Sequence, residues 1–216
     1  MFLDREDAGR RLADELKNLA LHDPLVLAIP RGGVVTGNAL ARALGAELDI
    51  VLANKLRSPV QPGLAFGAVG EDAQMYLNHR VKELTGVTDK YLQLERDFQV
   101  EQIHCRQKVF RAARPAAKIA DRSVILTDDG IATGSTMFAA IEVAKGHHPY
   151  ELIVAVPVAP PDRLDAIRNL CARLICLREP TSFCSVAAFY KSFDTVDVEE
   201  VIHLLRQFAR ATEATR

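Results

Sequence analysis

The sequence predicts an α/β protein in which a central, mostly parallel sheet is flanked by helices. Apolar runs of strand length alternate with helix-like segments, and this alternation is typical of parallel β-α-β units. Residues 152–158 (L-I-V-A-V-P-V) form a continuous apolar run, as expected for a central strand covered on both faces. The chain has 216 residues, of which 49% are hydrophobic, so we expect a single domain over residues 1–216.

The N-terminal part predicts a helix, a strand, a second helix and a second strand. Apolar residues recur at helical spacing among charged ones over residues 4–20. Residues 25–29 (L-V-L-A-I) predict a strand, and residues 34–44 predict a helix that ends at Gly45. Residues 48–53 (L-D-I-V-L-A) predict the next strand, which completes a β-α-β unit.

Residues 56–118 predict an insertion into this pattern. Its first part contains a segment that predicts a hairpin turning near Glu71 and Asp72. Residues 88–113 are highly charged and predict a long helix, which we interpret as a solvated element packed on the flank of the domain. In the alternative interpretation, its Arg and Lys side chains reach toward a ligand or a partner subunit.

The C-terminal half returns to alternating strands and helices. The predicted elements are strands at residues 124–127, 152–158 and 174–177, helices at 134–146 and 161–172, and a final helix from a capping box at Asp197 and Glu200 to about residue 211. An aromatic segment at about 178–194 precedes the final helix, and its loop is long enough to suggest a function.

The charge balance argues against bulk attraction to nucleic acid or to an anionic membrane. Lys plus Arg is 27 and Asp plus Glu is 28, so the formal net charge is -1. A local basic stretch nevertheless contains Lys108, Arg111, Arg114 and Lys118. No apolar run approaches the ~20 residues of a membrane span, and no signal-peptide core follows the N-terminus. We therefore expect a soluble cytoplasmic protein.

The four cysteines have neither the C-x-x-C spacing of redox motifs nor the Cys/His spacing of zinc sites. They are Cys105, Cys171, Cys176 and Cys184. We interpret them as incidental thiols in a reducing compartment.

Two adjacent aspartates follow the predicted strand at 124–127, where the chain reads D-D-G-I-A-T-G-S-T. They form either a polar stop and helix cap, or a site for hydroxyls or positive charge. Small residues then precede a helix, so that backbone N–H groups and the helix N-terminus can bind an anion. Because Asp128 and Asp129 would repel a phosphate in contact, we expect them to face another part of the same ligand. The fingerprints of P-loops, dinucleotide-binding folds and hydrolase elbows are absent from the sequence.

Residues 124–136 resemble the signature of the type I phosphoribosyltransferases, in which apolar residues, two acids and a small-residue loop follow one another. The resemblance implies a type I phosphoribosyltransferase-like fold with an inserted hairpin and long helix and a C-terminal hood. It implies that Asp128 and Asp129 hold the ribose hydroxyls of phosphoribosyl pyrophosphate (PRPP). It also implies that five residues bind the 5′-phosphate, namely Ala132, Thr133, Gly134, Ser135 and Thr136.

Three positions refine this resemblance. Thr127 and Gly130 stand where the family usually has apolar residues, and neither is expected to touch the ligand through a side chain. Hypoxanthine-guanine-type members carry an Asp where this chain has Ala132, so its loop resembles the adenine-type pattern most. The substrate stays open, because the base is recognised elsewhere.

The segment I-P-R-G-G at residues 29–33 stands where the family has its pyrophosphate loop. The resemblance implies that Arg31, Gly32 and Gly33 bind PRPP, and it predicts a cis peptide bond between Pro30 and Arg31. Lys55, at the end of the second predicted strand, matches the start of the family's flexible loop. Lys55 and Arg57 either reach the pyrophosphate or are solvated strand-end side chains.

The whole chain also resembles a smaller group of bacterial phosphoribosyltransferase-like proteins. The shared segments are residues 30–34 (P-R-G-G-V), 67–71 (G-A-V-G-E) and 183–190, an aromatic motif. Many members have N-P-E where this chain reads Q-P-G at residues 61–63, so an acid is missing here. The aromatic motif predicts an acceptor hood made by Phe183, Val186, Phe189 and Tyr190, or residues that simply seal the end of the sheet.

The resemblance implies transfer of the phosphoribosyl group from PRPP to a nitrogenous base or related acceptor, with release of pyrophosphate. Asp128, Asp129, Arg31 and Lys55 are the expected catalytic residues. Mg²⁺ is the expected cofactor, held mainly through the ligand, with Asp128 or Asp129 as a further contact. A homodimer is expected, with no nucleic-acid or membrane partner. The alternatives are a PRPP- or nucleotide-binding regulatory protein without transferase activity, and hydrolysis of PRPP.

Overall fold

A computed structural model of the chain describes residues 1–61 and 64–214, the last six of these by backbone only. In chain order its elements are α1 (Arg5–Leu16), β1 (Leu25–Ala28), α2 (Gly32–Leu44), β2 (Glu47–Ile50), β3 (Ala53–Arg57), β4 (Ala65–Gly70), β5 (Met75–Leu77), α3 (His79–Leu84), α4 (Asp89–Arg111), β6 (Ser123–Thr127), α5 (Ser135–Gly146), β7 (Glu151–Val158), α6 (Pro161–Arg168), β8 (Arg173–Arg178), a 3₁₀ turn (Val186–Phe189) and α7 (Val198–Ala214).

The central sheet has five parallel strands in the order β2-β1-β6-β7-β8, which confirms the predicted fold class. β6 and the C-terminal part of β7 are buried throughout, because helices cover both faces of the sheet. α1 and α2 pack against each other on one face, and α5 packs on the other. Since all five strands run in one direction, the loops after β1 and β6 meet at the same edge of the sheet.

The predicted strand at residues 48–53 is wrong in its extent, because the chain leaves the central sheet after Ile50. Ala53–Arg57 is a separate strand, β3, which pairs with β4 in a second, antiparallel sheet. Val51 and Leu52 connect the two sheets and are buried. The apolar pattern of the sequence therefore continues without a break where the chain passes from one sheet to the other. Lys55 therefore lies inside a paired strand, opposite Ala68, and does not begin a loop.

The insertion forms the second sheet, β3-β4-β5, together with α3 and α4. The hairpin predicted near Glu71 and Asp72 is confirmed, because β4 and β5 pair on either side of that turn. Thr88 caps α4 by accepting a hydrogen bond from the N–H of Tyr91, which confirms the long helix. The segment Q-P-G extends over Pro62 and Gly63, which lie outside the described residues.

A buried ion-pair network anchors the end of α4 to both sheets. Arg111 donates to Asp49 of β2 at 2.7 Å and from its Nε to Glu71 at 2.7 Å. Arg114 and Arg122 both pair with Glu47, the first residue of β2. Arg111 and Arg114, two members of the predicted basic stretch, therefore make ion pairs inside the protein. They do not form a continuous basic surface.

The ends of the other helices follow local signals. Gly45 adopts a left-handed φ of 62° after α2, as its position at the end of that helix predicts. α6 ends at Arg168, four residues before the predicted limit, with Asn169 as its cap. Asp197 accepts from the N–H of Glu200 at the start of α7. Across residues 1–61 and 64–214, no helix is both long and apolar enough to span a bilayer.

Candidate active site

The loop between β6 and α5 contains the small residues 132–136 that the sequence predicts to bind an anion, and we call this segment the cradle. Gly134 has a left-handed φ of 76° and caps α5 without a side chain of its own. Of the first N–H groups of that helix, that of Ser135 donates a long hydrogen bond of 3.4 Å to Thr133 Oγ1. Ala132, Thr133 and Thr136 are exposed and Ser135 is half-buried, so all four can meet a ligand. A cavity of about 190 Å³ is lined by this loop and by Asp128. The structure therefore brings the cradle and the first aspartate together.

Asp128 lines this cavity, and its carboxyl group makes no ion pair with any described side chain. Its Oδ1 accepts a hydrogen bond from the N–H of Asp129 at 2.8 Å. Burial, followed by the charge of Asp129, holds the pKa of Asp128 well above its usual range. Since binding of a hydroxyl or a cation favours the ionised form, this carboxylate is suited to a ligand that supplies such groups.

Asp129 has a different environment, because its carboxylate is already paired. Its Oδ2 accepts from Arg5 Nε at 2.8 Å, and the two side chains are only 15% and 10% exposed. The Tyr190 hydroxyl donates to the backbone carbonyl of Asp129 at 2.6 Å, and burial raises the pKa of that phenol, which keeps it protonated. The two aspartates, which the sequence treats alike, therefore present one open and one occupied carboxylate.

Arg5 is the site residue that sequence reasoning missed. It begins α1, donates to the carbonyl of Asp194 at 2.8 Å and stacks 3.7 Å from the ring centre of Phe193. A signal was present in the sequence, because Arg5 shares the buried face of α1 with Ala8 and Leu12. A cation on an otherwise apolar helix face indicates a buried partner.

The loop after β1 closes onto the aspartate pair, and glycines permit this approach. A Cβ on Gly32 would lie 2.0 Å from Asp129 Oδ2, and one on Gly33 would lie 2.8 Å from Asp128 Oδ1. The peptide bond between Pro30 and Arg31 is cis, which confirms the expectation for this loop. Arg31 itself is exposed beside the uncapped N-terminus of α2.

Lys55 approaches the cradle from the second sheet. Its Nζ donates to Ser135 Oγ at 2.8 Å, so it is not a solvated strand-end side chain. Burial, followed by the charge of Arg57, lowers the pKa of Lys55. A cavity of about 520 Å³ beside it is lined by Arg57 and by α4 residues including Arg106. The inserted helix thus borders the candidate site, as its alternative interpretation allowed.

The four hood residues separate into two groups. Phe183, Val186 and Phe189 are half-exposed, and the rings of Phe183 and Phe189 stack with centres 5.8 Å apart. Tyr190 is buried against Phe2 and bonds to Asp129, so it acts as a seal that also supports the site. Backbone hydrogen bonds between Phe2 and the hood hold the start of the chain in this seal.

Gly130 makes room for the hood, and this position provides a test of their contact. A Cβ at Gly130 would lie 2.7 Å from Val186 Cγ1 and 3.0 Å from Val158 Cγ1. We expect Gly130→Ala to cost about 1–3 kcal/mol of unfolding free energy through overpacking. Urea denaturation measures the loss, and Gly130→Ala with Val186→Ala should recover most of it. Equal losses in the single and double variants would contradict the contact.

The parallel sheet with an anion cradle and a carboxylate at its carboxyl edge is the arrangement of α/β proteins that bind phosphorylated ligands. Residues 2–191 match the family described as Phosphoribosyl transferase domain. The chain belongs to the phosphoribosyl transferase family, and its fold is that of the type I members.

Two curated proteins of Mycobacterium tuberculosis are similar to nearly the whole chain. They are named "Putative phosphoribosyl transferase Rv0571c" (strain ATCC 25618 / H37Rv) and "Putative phosphoribosyl transferase MT0597" (strain CDC 1551 / Oshkosh). Each is 36% identical over 215 residues, which are 98% of this chain and 48% of that protein. The chain thus spans about half the length of these relatives.

A solved structure has the same fold over almost the full length. The TT1426 protein from Thermus thermophilus is 38% identical to this chain and superposes with a TM-score of 0.91. The match covers 96% of this chain and 98% of that one. The insertion and the hood are therefore parts of a fold that is shared at full length.

Proposed function

We propose that this protein transfers the 5-phosphoribosyl group of PRPP to a nitrogen nucleophile and releases pyrophosphate. The observation that carries the proposal is the single cavity that joins Asp128 to the cradle at the N-terminus of α5. Helix N-terminal amides and the hydroxyls of Thr133, Ser135 and Thr136 suit a phosphate, and a carboxylate without an ion pair beside them suits sugar hydroxyls. A phosphorylated ribose presents these two groups together.

The differing partners of the aspartates give them different proposed roles. Asp128, which has no ion pair among the described side chains, accepts hydrogen bonds from the ribose hydroxyls. Asp129, held by Arg5 and by Tyr190, donates its backbone N–H to Asp128 and fixes the direction of that carboxylate. We therefore assign the ribose contact mainly to Asp128.

The leaving pyrophosphate gains negative charge as its bond to the anomeric carbon breaks ahead of the new bond. The proposed stabilising groups are Arg31, the amides of Gly32 and Gly33 at the start of α2, and Lys55. The uncapped N-terminus of α2 and the short bond from Lys55 to Ser135 support this assignment. Their contribution is positioning and electrostatic stabilisation, so no general base is required of these residues.

The residues present fit a magnesium ion that arrives with the diphosphate. Mg²⁺ commonly takes one or two carboxylates together with substrate phosphates. Among the side chains that the structure describes, those of residues 1–61 and 64–208, no cluster of three metal-binding groups exists, and Asp129 is already paired. Asp128 would therefore be its protein ligand. When bound, the ion neutralises charge on the phosphate oxygens.

The acceptor is proposed to lie under the half-exposed hood residues Phe183, Val186 and Phe189. The aromatic faces of Phe183 and Phe189 can stack on a planar base.

We place the reaction in the cytoplasm, because all four cysteines are free thiols and a reducing compartment keeps thiols in that state. The internal pairs of Arg111 and Arg114 support a small-molecule substrate over a nucleic acid.

A panel of nitrogenous bases tests the proposed activity. Pyrophosphate release is followed with PRPP and Mg²⁺, with one base at a time and with no base. We expect release that depends on both PRPP and one class of base, and Asp128→Asn serves as the inactive control. PRPP binding without turnover on any base would instead indicate the regulatory function. Release that needs no acceptor would indicate hydrolysis.

A further inference from the structure

The cavity of about 520 Å³ beside Lys55 carries a concentration of positive charge, and we call it the insertion cavity. It is lined by residues of β3, of α4 and of the first turns of α5. Three of its described lining residues are cations, Lys55, Arg57 and Arg106, and none is an acid. Clefts lined by charges of one sign concentrate ions of the opposite sign. The lining therefore indicates a site for an anion.

Neutral groups, rather than an acid, hold Arg106 in this lining. Its Nη2 donates to Asn54 Oδ1 at 2.7 Å, and its Nε donates a long bond of 3.4 Å to the carbonyl of Gln102. Asn54 is held in turn, because its Nδ2 donates to the carbonyl of Gln99 at 3.4 Å. These bonds orient the guanidinium and leave its charge without a counter-charge, which suits a fork that binds phosphate oxygens.

The other charges near the cavity do not neutralise the three cations. Burial lowers the pKa of Arg106, and burial, followed by the charge of Arg57, lowers the pKa of Lys55. Glu95 accepts from the backbone N–H of Arg57 at 3.1 Å, but this acid does not line the cavity. The buried Arg111, by contrast, is paired with an acid. An anion between the three cations would favour their charged forms.

The insertion cavity is separate from the cavity at the cradle, although the two meet at the start of α5. Of the described residues, only Ser135 and Thr136 line both. Asp128 lines the cavity at the cradle and not the insertion cavity, whereas Arg57 and Arg106 line the insertion cavity alone. A ligand bound by Arg106 therefore occupies a different space from one bound by Asp128.

The size and the aromatic lining of the insertion cavity favour a nucleotide over a free phosphate ion. The cavity at the cradle, which suits one phosphate, measures about 190 Å³, so the insertion cavity has room for a larger ligand. Phe98 belongs to its lining and is 59% exposed. Aromatic rings beside cations bind nucleotides, because a base stacks on the ring while the cations bind the phosphate.

We propose that the insertion cavity is a second ligand site, which binds a nucleotide. Its phosphate lies between Lys55, Arg57 and Arg106, and its base stacks on Phe98. The proposal does not rest on the transfer reaction, because the binding that it describes requires neither PRPP nor turnover.

Isothermal titration calorimetry of the full chain with adenosine 5′-monophosphate or uridine 5′-monophosphate measures this binding. Arg106→Gln should weaken it at least tenfold, because a charge-assisted contact with the phosphate is lost. Arg106→Lys keeps the charge without the planar fork and should weaken it less. Lys108→Gln is the matched control, since Lys108 is an exposed cation of α4 that does not line the cavity, and it should leave the affinity unchanged. Circular dichroism checks that each variant is folded.

Two comparisons identify the site and the ligand. Asp128→Asn should leave the binding that depends on Arg106 unchanged. Inorganic phosphate should bind at least tenfold more weakly than the nucleotides, and Phe98→Ala should remove most of this difference. Absence of nucleotide binding, or binding that Asp128→Asn weakens and Arg106→Gln does not, would overturn the proposal. Equal affinities for inorganic phosphate and both nucleotides would overturn the assignment to a nucleotide.

Discussion

Asp128→Asn is expected to weaken PRPP binding about 10–100-fold or more while the fold remains intact. The reason is that a neutral amide replaces the open carboxylate proposed to accept bonds from the ribose hydroxyls, and charge-assisted bonds contribute about 1.5–3 kcal/mol. The asparagine Oδ1 can still accept from the N–H of Asp129, so the local backbone is preserved. Isothermal titration calorimetry with PRPP and Mg²⁺ measures the change, and unchanged affinity would refute the assignment.

The same substitution should stabilise the unliganded protein, and the gain should depend on pH. Burial raises the pKa of Asp128 in the folded state above its unfolded value of about 4. The folded state then holds this proton more tightly, so wild-type stability falls as pH rises from about 4 toward the raised pKa. Asparagine lacks this loss, and its advantage should disappear at low pH. A wild-type protein that is the more stable at neutral pH would contradict this account.

Arg5→Met is expected to cost about 3–5 kcal/mol of unfolding free energy, because it leaves the carboxylate of Asp129 buried without its partner. The bond to the carbonyl of Asp194 and the stacking on Phe193 disappear as well. Urea denaturation measures the loss. Asp129→Asn should be costly for the reciprocal reason, so the single change at Asp128 is the cleaner probe of ligand binding.

Arg10→Met is the matched control on the same helix. Arg10 pairs with Glu6, but both side chains are more than half exposed, and such pairs contribute at most about 1 kcal/mol. Combining Arg5→Met with Asp129→Asn should cost clearly less than the sum of the two single changes, because each single change alone leaves a buried group unpaired. Additive losses, or an equal effect at Arg10, would show that the buried pair does not hold the site.

The strands, the cradle and the long helix could be predicted because their signals are local. Apolar runs mark β1, β6 and β7, and small residues at a strand end mark the cradle. The end of β2 could not be found in this way, since Val51 and Leu52 remain buried while the chain passes from one sheet to the other. Hydrophobicity reports burial and does not report which sheet buries a residue.

The environment of the aspartates depended on distant parts of the chain. Arg5 precedes Asp129 by 124 positions in the sequence, and Tyr190 follows Asp129 by 61 positions. Likewise, Val186 packs over Gly130 and leaves no room for a side chain at that position. The phosphoribosyltransferase signature at residues 124–136 does not reveal this contact. Pairings across such separations are set by the order of the strands, so the sequence predicted the two acids but not their unequal environments.

The position of β1 in the sheet has a consequence for synthesis of the chain. In the sheet, β1 lies between β2 and β6. In the chain, β2 follows β1 closely, whereas β6 comes only after the second sheet and helices α3 and α4, which end at Arg111. Ribosomes add about 5–20 residues per second, so roughly 4–15 s pass between the emergence of β2 and that of β6. During this interval one edge of an apolar strand has no partner and can pair with a neighbouring nascent chain. Slower translation of the segment from β3 to α4 would lengthen this exposure. The yield of folded protein in a cell should therefore depend on the chaperones that hold unfinished chains.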